Sequence, residues 1–163
     1  MAIKTLHGLK AELGPGGRLL GLDVGSKTVG LALSDVTLII ATPYRTLRRT
    51  TFAKDAEYLR QTIDEHGVGG LVIGLPLQMD GTEGRRCQSV RQFAANLLER
   101  TDIPIAFWDE RLSTAAVERM LIREADMSRR RRAQVIDKAA AAYILQGALD
   151  ALAGAAGGDT KGR

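Results

Sequence analysis

Three acidic residues interrupt apolar segments of this sequence, at places where a core residue would be expected. They are Asp23 in LLGLDV, Glu110 at the end of IAFWDE, and Asp137 in VIDKAAAAYILQ. An unpaired carboxylate is costly to bury, so it usually binds a cation or takes up a proton. Three carboxylates without a cluster of His or Cys favour a hard divalent cation such as Mg²⁺ or Mn²⁺. The sequence therefore predicts a metal site, and chemistry at phosphate groups is the first hypothesis.

The segments around these acids predict elements that would bring them to one place. Residues 18–24 form an apolar run that predicts a buried strand, and after a short turn residues 28–35 predict the returning strand of a hairpin. Residues 105–110 predict a strand parallel to a continuously apolar strand at 70–76. Ligands collect at the carboxyl ends of parallel strands, so the acids are placed where a site would form.

Two neighbouring acids compete for the site at the end of the strand over 105–110. Successive side chains of a strand point to opposite faces, so only one of Asp109 and Glu110 should face the site. The residue pattern alone does not choose between them. Asp137 lies on a predicted helix, where it shares a face of small and apolar residues with Ala141 and Ile144. We expect this helix to approach the sheet closely enough for a short carboxylate to reach the site.

Two of the acids also have purely structural interpretations. Asp23 could accept hydrogen bonds from the amides of Gly25 and Ser26 in a turn. Asp137 could pair with Lys138, but adjacent residues on a helix point about 100° apart. The glycines around Asp23 favour a functional role, because they allow a backbone or a phosphate to approach closely.

The remaining segments predict an α/β fold. Helices are expected over 51–65, after the Asp80–Glu83 capping box to about residue 99, after a cap at Ser113 or Thr114, and over 131–152, and a further strand over 37–47. Three strands joined by short turns, followed by alternating helices and strands, predict a mixed five-stranded sheet. Right-handed crossovers between parallel strands would place helices on both faces of this sheet.

The composition suits one globular domain with a polyanionic partner. The chain has 163 residues, of which 23 are basic and 19 acidic, with a net charge of +4 and a pI of about 9.5. We expect a folded domain over 18–152, a flexible N-terminal extension over 1–17 and a flexible tail over 153–163. Cys87 is the only cysteine, and the sequence has neither a long apolar run nor a recognisable signal peptide. These features predict a cytoplasmic protein without internal disulfides or a membrane span.

Four segments of the chain resemble one known family. The segments are LLGLDVGSKTVGLALSD (19–35), LVIGLPLQMDGTEGRR (71–86), WDERLST (108–114) and VIDKAAAAYIL (135–145). They are similar to the YqgF-type Holliday junction resolvases, which are also described as pre-16S rRNA nucleases. The resemblance implies a ribonuclease H-like fold, a divalent metal ion and a cytoplasmic bacterial nuclease. It also implies that Asp23, Glu110 and Asp137 are the catalytic and metal-binding residues.

The resemblance implies a nucleic-acid partner and leaves two substrates open. The first is the 5′ end of the 16S rRNA precursor, processed in ribosome biogenesis, and the alternative is a four-way DNA junction formed in recombination. We expect phosphodiester hydrolysis that leaves a 5′-phosphate and a 3′-hydroxyl. A symmetric junction would suit a homodimer. The rival interpretations are an actin-like ATPase, for which one short domain is too small, and a non-catalytic binding module, which would not need all three acids.

Basic residues near the acids are the predicted substrate contacts. Lys27 lies in the turn after Asp23, where its positive charge could meet a phosphate oxygen, and Arg111 directly follows Glu110. The densest basic segment is expected to follow the nucleic-acid backbone through charge. It consists of Arg129, Arg130, Arg131 and Arg132.

Overall fold

A computed structural model describes the backbone of residues 3–113 and 129–160, and the side chains of residues 3–111 and 136–154. Six strands lie within these residues: β1 (Ile3–Lys4), β2 (Arg18–Val24), β3 (Thr28–Ser34), β4 (Ala41–Arg48), β5 (Val68–Leu75) and β6 (Ile105–Asp109). The α-helices described are α1 (Leu6–Glu12), α2 (Phe52–His66), α3 (Arg85–Leu98) and α4 (Arg129–Thr160). A short 3-10 helix, Glu110–Ser113, follows β6 directly.

The strands form one mixed sheet in the order β1-β6-β5-β2-β3-β4. Neighbours β2, β3 and β4 run antiparallel, as the short turns between them require. Strand β5 runs parallel to both β2 and β6, so the carboxyl ends of these three strands meet at one edge of the sheet. The predicted mixed sheet is therefore confirmed, although it has six strands rather than five.

The sixth strand comes from the N-terminal residues that the sequence analysis expected to be flexible. Residues 3–12 instead form β1, which pairs with β6, and α1, whose first turn is capped by the Thr5 hydroxyl at 3.0 Å from the Gly8 amide. Leu9 of α1 is completely buried and lies against Gly70 of β5. The helix is seven residues long and buries one large side chain, so its sequence shows no extended apolar stripe that would have predicted it.

The predicted α2 is confirmed, and its two ends show why the helix occupies these residues. The Thr51 side chain accepts a hydrogen bond from the Lys54 amide at 3.3 Å, which caps the first turn. Gly67 ends the helix with a φ of +63°, a left-handed conformation that glycine adopts at little cost. Local sequence signals therefore set both boundaries of this helix.

Apolar side chains pack on both faces of the sheet, as predicted. One core lies beneath α2 and α3, with Leu22, Leu59 and Phe93 among its members. The other lies beneath α1 and α4 and includes Leu19 and Leu145. Alternate side chains of β2 enter the two cores, because successive residues of a strand point to opposite faces.

The C-terminal helix is longer than the sequence predicted. Its backbone continues through Thr160, whereas residues 153–163 were expected to form a flexible tail. Alanine residues are frequent in this segment, and their high helix propensity outweighs the cost of the interspersed glycines. No helix among the described residues combines the length and the apolar character needed to cross a membrane.

Candidate acidic site

Asp23 and Glu110 come together at the sheet edge where parallel strands end. Asp23 is the penultimate residue of β2, and Glu110 begins the 3-10 helix that follows β6. Their carboxyl groups are close enough that a protonated Asp23 can donate a hydrogen bond to Glu110. Burial, this hydrogen bond, and the charges of Glu110 and Asp137 raise the pKa of Asp23 to about 8. The structure therefore places three mutually repelling carboxyl groups close enough to affect one another.

Asp137 reaches this edge of the sheet from α4 and bonds to the neighbouring strand. The Thr28 hydroxyl at the start of β3 donates a hydrogen bond to Asp137 Oδ2 at 2.7 Å. Thr28 therefore orients the carboxylate, while the second oxygen of that carboxylate is not used in this bond. Lys138 makes no ion pair with Asp137 among the described side chains, so the structural alternative of an Asp–Lys pair is not observed.

Glycines on the facing strands allow α4 to bring Asp137 this close. Gly30 is paired with Asp23 across β2 and β3, and a methyl group at Gly30 would lie 2.5 Å from the Asp137 carbonyl carbon. A methyl group at Gly74 of β5 would lie 3.2 Å from Glu110 Oε1 and 2.5 Å from Ile144 Cδ1. Both strands thus lack side chains where the helix and the carboxylates need space.

The structure shows why alternation along β6 could not choose between Asp109 and Glu110. The strand ends at Asp109, and the 3-10 turn that begins at Glu110 changes the direction in which its side chain points. Glu110 faces Asp23, whereas Asp109 forms an ion pair with Arg111 at 2.6 Å. The catalytic role of Glu110 that the family resemblance implied remains a prediction.

Arg111 also connects the acidic site to the loop that follows β5. While two of its nitrogens bond Asp109, its Nη1 atom donates to the carbonyl oxygens of Gln78 and Met79 at 3.4 and 3.3 Å. Its guanidinium group is therefore already engaged within the protein. The predicted role of Arg111 in substrate binding remains a prediction, and the structure adds a role in fixing this loop.

Two further arginines lie near the acids and were not singled out from the sequence. The charge of Arg86, in the first turn of α3, lowers the pKa of Asp23 and partly offsets the repulsion in the cluster. Arg49 donates to the Gly25 carbonyl oxygen at 2.6 Å and so braces the turn that carries the exposed Lys27. Arg86 follows Arg85 in the sequence, but its proximity to Asp23 depends on how α3 packs. The side chains of residues 129–132 lie outside the described side chains.

The donor atoms suit a hard cation, although the described side chains are not already arranged around one. No three Asp, Glu, His or Cys side chains in the described ranges have a geometry that would hold a metal ion. The raised pKa leaves Asp23 protonated near neutral pH, and Asp137 bonds Thr28. A divalent cation would neutralise the crowded charge of these acids, and its preferred ligands are carboxylate oxygens. The three acids therefore fit such an ion, whose binding would displace the proton of Asp23.

Comparison with known protein families places the chain among nucleases. The family model described as RuvX, Holliday junction resolvase, matches residues 17–151. A relative from Paramagnetospirillum magneticum, named “Putative pre-16S rRNA nuclease”, is 67% identical over 87% of this chain and 91% of its own length. A protein of the same name from Rhodospirillum rubrum is 56% identical over 93% of this chain and 94% of its own length.

Solved structures share the fold at low sequence identity. Thermus thermophilus RuvC in complex with Holliday junction substrate superposes with a TM-score of 0.53 at 13% identity, covering 85% of this chain and 96% of RuvC. The yeast mitochondrial Holliday junction resolvase superposes with a TM-score of 0.51 at 12% identity, covering 86% of this chain and 81% of its own. The predicted ribonuclease H-like fold is thereby confirmed. With its sequence matched over nearly the whole folded region, the chain belongs to the RuvX family, which the YqgF-type resemblance had implied.

Proposed function

We propose that this protein is a metal-dependent endonuclease that hydrolyses phosphodiester bonds at the site formed by Asp23, Glu110 and Asp137. The observation that carries the proposal is the burial of Asp23 beside Glu110 and Asp137, which raises the pKa of Asp23 to about 8. Such a strongly perturbed acid, crowded by two others at the carboxyl edge of a parallel sheet, is typical of a functional site. The names of the family and of its relatives support nuclease chemistry.

The three acids would hold Mg²⁺ or Mn²⁺, with Thr28 keeping the Asp137 carboxylate in place. When bound, such an ion supplies a Lewis acid that polarises the phosphodiester and lowers the pKa of a water molecule. No histidine is needed as a general base in this arrangement. The products expected are a 5′-phosphate and a 3′-hydroxyl.

The substrate proposed first is the 5′ end of the 16S rRNA precursor, because the most similar relatives carry that name. A four-way DNA junction is the second candidate, and the family description favours it. Lys27, Arg111 and the basic residues 129–132 are the proposed phosphate contacts, and the cytoplasm is the proposed location. Action on a symmetric junction would suit a homodimer.

A direct comparison of the two substrates tests this function. Purified protein with Mg²⁺ would be incubated with a 16S precursor 5′ leader and with a four-way DNA junction, and the products would be mapped at single-nucleotide resolution. We expect cleavage of at least one substrate, and its loss in Glu110→Gln. The exposed Glu99, at the far end of α3, provides the matched control Glu99→Gln, which should cleave like the parent. Equal cleavage by parent and Glu110→Gln would reveal a contaminating nuclease, and tight binding without any cleavage would favour the non-catalytic module.

Replacing Thr28 with valine should weaken metal binding by about tenfold, because side chains that orient metal ligands typically contribute this much affinity. Valine has a similar shape but cannot donate the 2.7 Å hydrogen bond to Asp137. The dissociation constant for Mn²⁺ would be measured by calorimetry. Thr28→Ser restores the hydroxyl and should recover most of the affinity. If valine binds Mn²⁺ as tightly as the parent does, Thr28 does not position a ligand.

A further inference from the structure

Met79 is the most exposed large apolar side chain among the described residues. Its exposed fraction is 93%, compared with 63% for Ile39, the next highest. At this exposure the Met79 side chain gains almost none of the stabilisation that burial of its apolar surface would give. Its position is also unusual, because it lies in the loop after β5, at the sheet edge that carries the acidic site.

The loop that exposes Met79 is rigidly built. The Gln78 amide donates to the Thr82 carbonyl oxygen at 2.9 Å, and the Gly81 amide donates to the Gln78 carbonyl oxygen at 2.8 Å. The Thr82 hydroxyl bonds both Gln78 and Asp80, and Gly81 adopts a φ of +87°. None of these interactions uses the Met79 side chain. These bonds therefore hold the backbone of the turn in place and leave the Met79 side chain in solvent.

Arg111 connects this turn to the segment that carries Glu110. Its guanidinium bonds the carbonyl oxygens of Gln78 and Met79, and it directly follows Glu110 in the chain. The ion pair with Asp109 keeps the guanidinium itself in place. One residue thus couples the exposed methionine to the segment that carries a catalytic acid.

We propose that Met79 is a wedge that enters between two bases of the substrate beside the phosphodiester to be cleaved. This inference rests on the proposed nuclease function and extends it to substrate selection. Apolar side chains such as methionine can unstack a base step, and this costs free energy unless the step is already weakened. The polarisable thioether also makes favourable contacts with aromatic rings. The enzyme would therefore prefer a branch point or a junction of paired and unpaired strands over an uninterrupted duplex, in RNA or in DNA.

The wedge is tested by the fluorescence of 2-aminopurine, which rises when that base is unstacked. The base would be placed next to the cleavage position in a branched substrate and in a matched uninterrupted duplex, and binding would be measured in the Asp23→Asn background to prevent cutting. We expect the parent to raise the fluorescence of the branched substrate. Met79→Ala should abolish most of that rise and weaken binding to the branched substrate about tenfold, a change of the size expected when a buried methionine side chain is lost.

Two control variants separate the wedge from indirect effects. Met79→Leu keeps an apolar side chain of similar size and should retain the fluorescence rise. Ile39→Ala removes another exposed apolar side chain, in the β3–β4 turn at the opposite end of the sheet, and should change nothing. RNA and DNA versions of both substrates show which nucleic acid is unstacked. If Met79→Ala matches its parent in fluorescence and in preference for the branch, the wedge is excluded while the nuclease proposal stands. If no version of the substrate is bound at all, the nuclease proposal fails and the wedge fails with it.

Discussion

Replacing Gly30 with alanine is expected to destabilise the protein by about 3 kcal/mol and to reduce cleavage at least about 100-fold. The added methyl group would overlap the backbone carbonyl group of Asp137, with 2.5 Å between the methyl carbon and the carbonyl carbon. No change of side-chain rotamer can relieve an overlap with backbone atoms, so α4 would have to move away from the sheet. That movement would withdraw Asp137 from Asp23 and Glu110, and misplacement of about 1 Å is enough for a large catalytic loss.

The effects of Gly30→Ala on stability and on activity can be measured separately. Urea unfolding would measure the first, and cleavage at a temperature where the variant remains folded would measure the second. Gly14 has no other atom within 4 Å of its would-be methyl group, so Gly14→Ala should leave both quantities unchanged. If Gly30→Ala is as stable and as active as the parent, α4 does not pack this closely on β3.

Replacing Asp23 with asparagine should abolish cleavage while stabilising the metal-free protein near pH 8. The folded pKa of Asp23 is about 8, compared with an ordinary value of 3.8. Between these two values the folded state holds a proton that the unfolded state releases, so the stability of the parent falls as pH rises. Asparagine has no ionisable proton at this position, so the stability of Asp23→Asn does not fall with pH for this reason. We expect an advantage on the order of 5 kcal/mol at pH 8 that disappears toward pH 4.

Divalent cations should reverse that order of stability. Saturating Mg²⁺ or Mn²⁺ stabilises a folded state that binds it, and the parent retains all three carboxylates. Unfolding of the parent and of Asp23→Asn would therefore be followed in urea from pH 4 to pH 8, in EDTA and in excess cation, with cleavage measured in parallel. We expect Asp23→Asn to cleave at least about 1,000-fold more slowly than the parent. A variant that is no more stable than its parent in EDTA at pH 8 would contradict the crowded arrangement of acids.

The sequence alone predicted those features that depend on local patterns. The hairpin that carries Asp23, the two ends of α2, and the small-residue face of α4 each follow from residues within one segment. Because the carboxyl ends of parallel strands meet, the approach of Asp23 and Glu110 could also be anticipated. The first three predictions need only the residues of one segment, whereas the last also needs the general rule for parallel strands.

Features that depend on packing between distant segments could not be predicted. Leu9 anchors α1 only because Gly70, 61 positions later in the chain, leaves space for it. The bond between Thr28 and Asp137 depends on where α4 lies. Alternation left Asp109 and Glu110 undecided because the strand ends one residue before Glu110, and only the family resemblance implied Glu110.

The order of the acids along the chain has a consequence for synthesis of the protein. Asp23 and Glu110 belong to the sheet and to the turn after β6, but Asp137 belongs to α4, the last of the described helices. A nascent chain still lacking α4 can pair β2 with β3 and β5, yet it holds only two of the three carboxylates. Under the proposed function, cleavage would therefore begin only after α4 has been synthesised, so a nascent chain that ends before Asp137 would not cut nucleic acid.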